Sequence, residues 1–136
     1  MREYQVEFIS DFKEADYYSV LLTTYIEKHY DHITAEESFN INFALRELLN
    51  NAVEHGNHND PEKKVRCIVS GSENGITIIV KDEGDGFTIR DVQRQQPEQA
   101  DLEIRKRGLW LLDKLGFTVE VEGNNVTAHY NWEVEK

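Results

Sequence analysis

Alternating apolar residues or runs of β-branched residues mark five short segments of the chain, and both patterns predict β-strands. The segments are residues 4–8, 65–70, 76–81, 117–121 and 126–132. The second and third are joined by Gly71-Ser72-Glu73-Asn74-Gly75, and the last two by Gly123-Asn124-Asn125. Short connections that contain glycine and asparagine predict two β-hairpins.

Apolar residues at helical spacing mark two longer segments. Asp11 and Glu14 have the spacing of a capping box, so a first helix is predicted to follow them and to end near His29. The residues predicted to form its apolar side are Val20, Leu21, Leu22, Tyr25 and Ile26.

The second helix is predicted to begin at a capping box formed by Thr34 and Glu37. Its apolar residues recur at helical spacing and are Ile41, Leu45, Leu48 and Ala52. Gly56 is predicted to end this helix as its C′ residue, because glycine adopts the left-handed conformation of that position without strain. Residues 57–61 are predicted to form a loop.

The order of these elements indicates the fold class. One strand, two helices, two strands, a gap, a short helix and two strands favour a two-layer α+β sandwich, with a mainly antiparallel sheet and helices on one face. The length of 136 residues suits one domain, residues 1–136. The gap, about 87–107, is rich in glutamine and charge, and is either a flexible lid or a solvated insertion.

Composition and charge limit the kinds of binding partner and the cellular location that we expect for the protein. The formal net charge is −11, from 26 acidic and 15 basic residues. Such a surface repels nucleic acid and anionic membranes; it favours a basic partner or a metal ion that bridges to phosphate, or it serves solubility alone. Cys67 is the single cysteine, which excludes an intramolecular disulfide, and its apolar neighbours predict burial. No membrane-length apolar stretch or signal peptide is evident, so a cytoplasmic location is expected.

The second helix carries the first candidate site. Glu47, Asn51 and His55 follow one another at intervals of four residues, which places them along one side of the helix. A carboxylate and an amide oxygen one turn apart can share the water shell of Mg²⁺. The alternative is an ordinary solvated helix face.

The second candidate, Asp82-Glu83-Gly84-Asp85-Gly86, directly follows a predicted strand. A carboxylate at a strand end can accept a hydrogen bond from an exocyclic amine such as that of adenine. The two glycines let the backbone approach a flat ligand closely. The alternative is a tight turn with no ligand.

The third candidate is Arg105-Lys106-Arg107-Gly108-Leu109, which precedes a short apolar helix. Cations next to the backbone N–H groups of a helix start attract phosphate. The alternative is a basic loop in solvent.

In this order the three motifs resemble those of the GHKL superfamily of ATPases and kinases and, within it, the anti-sigma-factor serine kinases. Residues 47–56 look like the N-box of the superfamily, 82–86 like its D-x-G-x-G box, and 107–109 like the end of its second glycine box. The resemblance extends over about residues 39–132. It implies a Bergerat-like ATP-binding fold with ATP and Mg²⁺ as cofactors.

The resemblance also implies roles for matching residues. Glu47 would be the general base that takes a proton from the attacking hydroxyl. Asn51 would ligate Mg²⁺, which bridges the ATP phosphates. Asp82 would accept a hydrogen bond from the adenine amino group, and Thr127 would support adenine through water. The other residues expected to bind the nucleotide are His55, Gly84, Gly86, Arg105, Lys106, Arg107, Gly108 and Leu109.

One position departs from the superfamily pattern, and it keeps three functions open. Lys106 stands where the superfamily has a glycine beside the phosphates, and it would either crowd the backbone or contact phosphate directly. The expected function is a serine/threonine kinase that phosphorylates an anti-sigma-factor antagonist of the STAS type and binds a sigma factor, with a homodimer as a possible assembly. The alternatives are a non-catalytic binding switch and a stand-alone ATPase.

Overall fold

The computed structural model describes residues 2–84 and 108–132, which form one antiparallel sheet and three helices. The strands are β1 (Arg2–Ile9), β2 (Lys64–Gly71), β3 (Gly75–Lys81), β4 (Thr118–Glu122) and β5 (Asn125–Asn131). The helices are α1 (Phe12–His29), α2 (Ala35–Asn51) and α3 (108–114). The strand order is β1-β2-β3-β5-β4, so the predicted α+β fold and both predicted hairpins are confirmed.

The core lies between one face of the sheet and the helices. Every second residue of the central strands is buried on that face, as the period of two predicts. Cys67 lies opposite Val80 in the β2–β3 register, and both side chains are buried. Burial raises the pKa of the Cys67 thiol to about 12, so the side chain is a neutral core residue, as predicted.

Helix α1 confirms its predicted start and end but not all of its apolar side. The Asp11 side chain accepts a hydrogen bond from the Lys13 N–H at 2.7 Å and caps the helix. The buried residues are Ala15, Ser19, Leu22, Thr23 and Ile26. The prediction for Val20 is wrong: it is 59% exposed, because it falls one position outside this stripe.

The start of α2 is a complete capping box, as predicted. The Thr34 side chain accepts from the Glu37 N–H at 3.0 Å, and the Glu37 carboxylate accepts from the Thr34 N–H at 3.1 Å. Glu37 is only 3% exposed, and its second oxygen accepts a hydrogen bond from the Tyr130 hydroxyl at 3.1 Å. This buried carboxylate therefore joins α2 to β5.

The end of α2 differs from the prediction. After Asn51 the chain continues into a π-helical turn, Ala52–Gly56, closed by a hydrogen bond from the Asn57 N–H to the Ala52 carbonyl at 2.8 Å. Gly56 does not have a positive φ, so the prediction that it is a left-handed C′ residue is wrong.

The left-handed glycine that ends a helix is Gly116, after α3. Its φ is +99°, its N–H donates to the Asp113 carbonyl, and the Phe117 N–H donates to the Leu112 carbonyl. These two bonds are those of a Schellman motif. A left-handed glycine thus ends a helix, as predicted, but the glycine is Gly116 after α3 and not Gly56 after α2.

Two further expectations from the sequence concern residues 87–107 and membrane-spanning helices. The lid predicted at about 87–107 lies outside the described residues. Within the described ranges, no helix combines the length and the apolar character that crossing a membrane requires.

Candidate functional site

A small cavity lies where the end of α2, the end of β3 and the starts of α3 and β5 meet. The residues that line it are Leu48, Asn51, Ala52, Val80, Asp82, Leu109 and Val126. Its volume is about 10 Å³, which is room for about one water molecule. The walls are apolar except for one amide and one carboxylate.

The carboxylate belongs to Asp82, the first residue after β3, which is 7% exposed. Its backbone is held by Asn124: the Asp82 N–H donates to the Asn124 carbonyl at 3.1 Å, and the Asn124 amide donates to the Asp82 carbonyl at 2.6 Å. Its Oδ1 accepts from the Gly84 N–H at 2.8 Å. The carboxylate therefore has a fixed orientation at the edge of the cavity.

Two glycines allow this carboxylate to lie against the π-helical turn. A Cβ atom on Gly56 would be 2.1 Å from Asp82 Oδ2, and one on Gly84 would be 2.0 Å from the Gly56 carbonyl oxygen. No side chain fits at either position without moving the backbone or the carboxylate. Gly56 is thus required by its contact with Asp82 rather than by helix termination.

The structure brings Asn51 and Asp82 to the same cavity, and places Glu47 beside Gly108, the neighbour of the cavity residue Leu109. Asn51 is half-buried at the end of α2. One turn earlier, the carboxylate of Glu47 lies against Gly108, the first described residue of α3: a Cβ atom on Gly108 would be 2.1 Å from Glu47 Oε1. The next residue, Leu109, lines the cavity. The acid, the amide and the strand-end aspartate thus lie on the helix side of the sheet.

His55 lies in the π-helical turn and does not line the cavity that Asn51 lines. Its side chain is buried in the π-helical turn, with Nε2 3.6 Å from Glu54 Oε2, and it is not among the residues that line the cavity. The prediction assumed α-helical spacing throughout. The α-helix ends at Asn51, and the π-helical turn that follows is closed by the hydrogen bond from the Asn57 N–H to the Ala52 carbonyl, so α-helical spacing does not extend to His55.

The structure does not bring Thr127 into the cavity. In the β3–β5 register Val126 lies opposite Val80, whereas Thr127 lies opposite Ile79. Successive residues of a strand point to opposite faces, so Val126 faces the cavity with Val80, and Thr127 faces the side without helices. The predicted contact of Thr127 with adenine is corrected accordingly.

The remaining predicted site residues divide between the described chain and the rest. Gly84, Gly108 and Leu109 have the contacts given above. Gly86, Arg105, Lys106 and Arg107 lie outside the described residues.

Asn57 is a polar residue that the sequence analysis missed by placing it in a loop. It is 0% exposed, and its Oδ1 accepts from the Glu83 N–H at 2.7 Å. Its Nδ2 donates to Ser10 Oγ at 2.6 Å and to the Lys64 carbonyl at 2.9 Å. An asparagine next to a helix end is common in exposed turns, so nothing in the local sequence distinguishes this one.

With this geometry in place, comparison with known families decides the identity of the domain. Residues 20–130 match the family model of the histidine kinase-like ATPase domain. The chain belongs to this family. Membership confirms the resemblance to the GHKL superfamily and implies that the domain binds ATP.

Known relatives of this histidine kinase-like ATPase domain include two anti-sigma F factors. That of Shouchella clausii is 30% identical over 86 residues, which are 63% of this chain and 55% of the relative. That of Oceanobacillus iheyensis is 31% identical over 88 residues, with the same two shares. The chain thus spans about half the length of the curated relatives it matches. The predicted similarity to anti-sigma factors is confirmed.

The amide oxygen of Asn51 is a donor of the kind that could ligate Mg²⁺ arriving with a nucleotide. Among residues 2–84 and 108–132, no three or more His, Cys, Asp or Glu side chains form a group that could hold a metal ion. Mg²⁺ commonly takes one or two protein oxygens and completes its shell with phosphates and water. The single amide of Asn51 fits that arrangement.

A wider groove of about 400 Å³ lies on the other side of Asp82, lined by Glu7, Glu62, Lys64, Arg66, Lys81, Asp82 and Glu83. Three of its charges form ion pairs: Arg66 donates to Glu7 at 2.9 Å, and Lys64 lies 3.6 Å from the same carboxylate. The hydrogen bond from Arg66 lowers the pKa of Glu7 below its usual value. A polar groove with paired ions offers less to a purine than the apolar cavity does.

Proposed function

We propose that the protein is an anti-sigma-type serine/threonine kinase that uses Mg-ATP to phosphorylate an antagonist protein. The observation that carries the proposal is the shared cavity of Asn51 and Asp82, in which a buried carboxylate and a helix-end amide meet between apolar walls. A ligand with a flat ring at one end and phosphates at the other matches this combination. ATP is such a ligand, and the family implies it.

The Asp82 end of the cavity is the proposed adenine site. The oriented carboxylate accepts a hydrogen bond from the exocyclic amine, and Val80 and Val126 cover the ring. A purine is larger than the present cavity of about 10 Å³. The first turn of α3, which carries Leu109, is the wall proposed to move outward when adenine enters.

The Asn51 end is the proposed phosphate site. Bound ATP supplies the phosphoryl group, with its charge neutralised by Mg²⁺. The Asn51 amide oxygen would hold the ion, and the Glu47 carboxylate would take the proton of the attacking hydroxyl as ADP leaves. Arg105, Lys106 and Arg107, which precede α3, are proposed to lie over the phosphates.

The partner assignment rests on the relatives. Both are anti-sigma F factors, so an antagonist protein of the STAS type is the proposed phosphate acceptor and a sigma factor the second partner. The net charge of −11 favours partners with basic surfaces. A homodimer and a cytoplasmic location stay predictions.

Two measurements test the proposal in sequence. Calorimetric titration with Mg-ATP is expected to give a dissociation constant of about 1–100 μM, which corresponds to about 5.5–8 kcal/mol. Labelled ATP with Mg²⁺ and an antagonist protein is then expected to yield a phosphorylated serine or threonine. Glu47→Gln should bind Mg-ATP like the wild type but transfer at least about a hundredfold more slowly. Tight binding without transfer to any antagonist would exclude the kinase.

A non-catalytic switch is the second candidate, and the tightness of the cavity favours it together with Lys106 in place of a glycine. Titration that detects no Mg-ATP binding up to millimolar concentration would support the switch. Phosphate release from ATP in the absence of a partner would instead support a stand-alone ATPase, because the same base can activate water.

A further inference from the structure

The segment that carries Asp82 is attached to the π-helical turn at three consecutive residues. The Asp82 carboxylate and Gly84 both lie against Gly56, so closely that no Cβ atom fits. Between them, the Glu83 N–H donates to the side chain of Asn57, the residue that follows Gly56. Residues 56–57 thus form a support for residues 82–84.

We propose that Asn57 is a positioning residue for nucleotide binding: by holding the Glu83 N–H, it keeps the Asp82 carboxylate against Gly56 in the orientation that adenine requires. The inference rests on the proposed function in one respect, namely that the cavity takes ATP. The structural part, that Asn57 fixes the segment of Asp82, is independent of any ligand.

Asn57 is itself held rigidly, which a support requires. Its N–H closes the π-helical turn on Ala52, and its carbonyl accepts from the Asp60 N–H at 3.0 Å. The two residues between, His58 and Asn59, have φ values of +53° and +59°. Two consecutive left-handed residues make a tight turn with little freedom.

The three side-chain bonds of Asn57 have separable purposes. Nδ2 joins the turn to Ser10, before α1, and to Lys64, at the start of β2. Those two bonds connect the turn to the framework and contribute to stability. Oδ1 alone reaches the segment of Asp82, through Glu83. We therefore expect the affinity for nucleotide to depend on the acceptor Oδ1 of Asn57, and the stability of the fold to depend on the donor Nδ2.

Three variants separate these purposes. Asn57→Ala removes the acceptor and both donors. Asn57→Asp keeps an oxygen for the Glu83 N–H but loses both donors, and it serves if Asn57→Ala does not fold. Ser10→Ala removes one partner of Nδ2 and leaves the bond to Glu83 intact, so it is the matched control.

Calorimetric titration with Mg-ATP, chemical denaturation and amide hydrogen exchange by NMR are measured on the full chain. Asn57→Ala is expected to weaken binding at least about tenfold, and Asn57→Asp and Ser10→Ala less than about threefold, although Asn57→Asp is less stable than Ser10→Ala. Exchange of the Glu83 and Gly84 amides should rise at least about tenfold in Asn57→Ala relative to exchange elsewhere in the chain.

Two results would overturn the inference. One is affinity that falls equally in Asn57→Ala and Asn57→Asp, in proportion to lost stability. The other is unchanged exchange at Glu83 and Gly84 in Asn57→Ala. Should the wild type bind no Mg-ATP, the proposed function fails, and the exchange measurement still decides whether Asn57 fixes the Asp82 segment.

Discussion

The two ends of α2 each lie beside a buried carboxylate, yet the surroundings of the two acids differ. At the start of the helix both oxygens of Glu37 accept hydrogen bonds from the protein, one from Thr34 and the other from Tyr130. At the end, Asp82 accepts from Gly84 and borders a cavity. Burial of an acid alone therefore does not identify a candidate site; whether the acid also lines a cavity is the difference between these two residues.

The two ends of α2 also differ in backbone conformation: the start is regular and the end is irregular. The start of α2 is a regular capping box, which satisfies the first N–H groups of the helix. The end departs into a π-helical turn, and a glycine takes the place where a side chain would meet Asp82. Irregular backbone at a functional position and regular backbone at a structural one is a recurring division.

The largest effect is expected at the structural end. Glu37→Ala leaves the Tyr130 hydroxyl and the Thr34 N–H without their acceptor, so the free energy of unfolding should fall by about 3 kcal/mol. Chemical denaturation measures the loss. Binding of Mg-ATP by the folded protein should stay within about twofold of the wild type. The control is Glu36→Ala, an exposed acid of the same turn. If Glu37→Ala weakens Mg-ATP binding as much as Asp82→Asn does, the two ends of α2 do not differ in this respect.

At the other end the expected effect is on binding. Asp82→Asn should weaken Mg-ATP binding about thirtyfold, or about 2 kcal/mol, because a charged acceptor for the adenine amine becomes a neutral one. Stability should change by less than about 1 kcal/mol. Titration calorimetry measures the affinity, and Asp113→Asn, which alters an exposed acid of α3, is the control. A large stability loss with unchanged affinity would make Asp82 a structural acid like Glu37.

A smaller effect is expected from Gly56→Ala. The added Cβ atom would be 2.1 Å from Asp82 Oδ2, so the carboxylate must shift, and Mg-ATP affinity should fall about tenfold. Gly116→Ala is the matched control. The φ of +99° would strain an alanine there, but Gly116 is not among the residues that line the cavity. If both variants bind Mg-ATP equally well, contact with Gly56 does not orient Asp82.

The smallest effect is expected on the open face of the sheet. Thr127→Val should leave Mg-ATP affinity within about twofold of the wild type, since Thr127 points away from the cavity. Val126→Thr, the reverse exchange on the neighbouring residue, should change the affinity more. Titration of the two variants side by side checks the assignment, and a tenfold loss in Thr127→Val would reverse it.

Local signals predicted most of the fold. Strand periodicity and the capping box of Thr34 and Glu37 depend on residues close in sequence, and the structure confirms both. The π-helical turn has no such local signal. Its glycine, Gly56, is required by a close contact with Asp82, which is distant along the chain. Asn57 went unrecognised for the same reason: its partners are Ser10, Lys64 and Glu83.

The candidate site could be predicted in part. The resemblance assigns Asn51 and Asp82 to one nucleotide site, and both line one cavity, while their roles with ATP stay predictions. The expectation for Thr127 comes from the resemblance alone. The alternation along β5 places Val126, not Thr127, on one face with the buried residues Ala128 and Tyr130, and this alternation is present in the sequence.

The hydrogen bond between Tyr130 and Glu37 has a mechanical consequence. Strand β5 is attached to the start of α2 through Tyr130, about 13 Å along the strand from Val126 in the cavity wall. Helix α2 runs from that attachment to Asn51 at the same cavity. The α2 and β5 walls of the cavity therefore belong to elements that are joined to each other at their far ends. Leu109 of α3 also lines the cavity but belongs to neither element, so we expect an expansion of the cavity to move α3 more than α2 or β5.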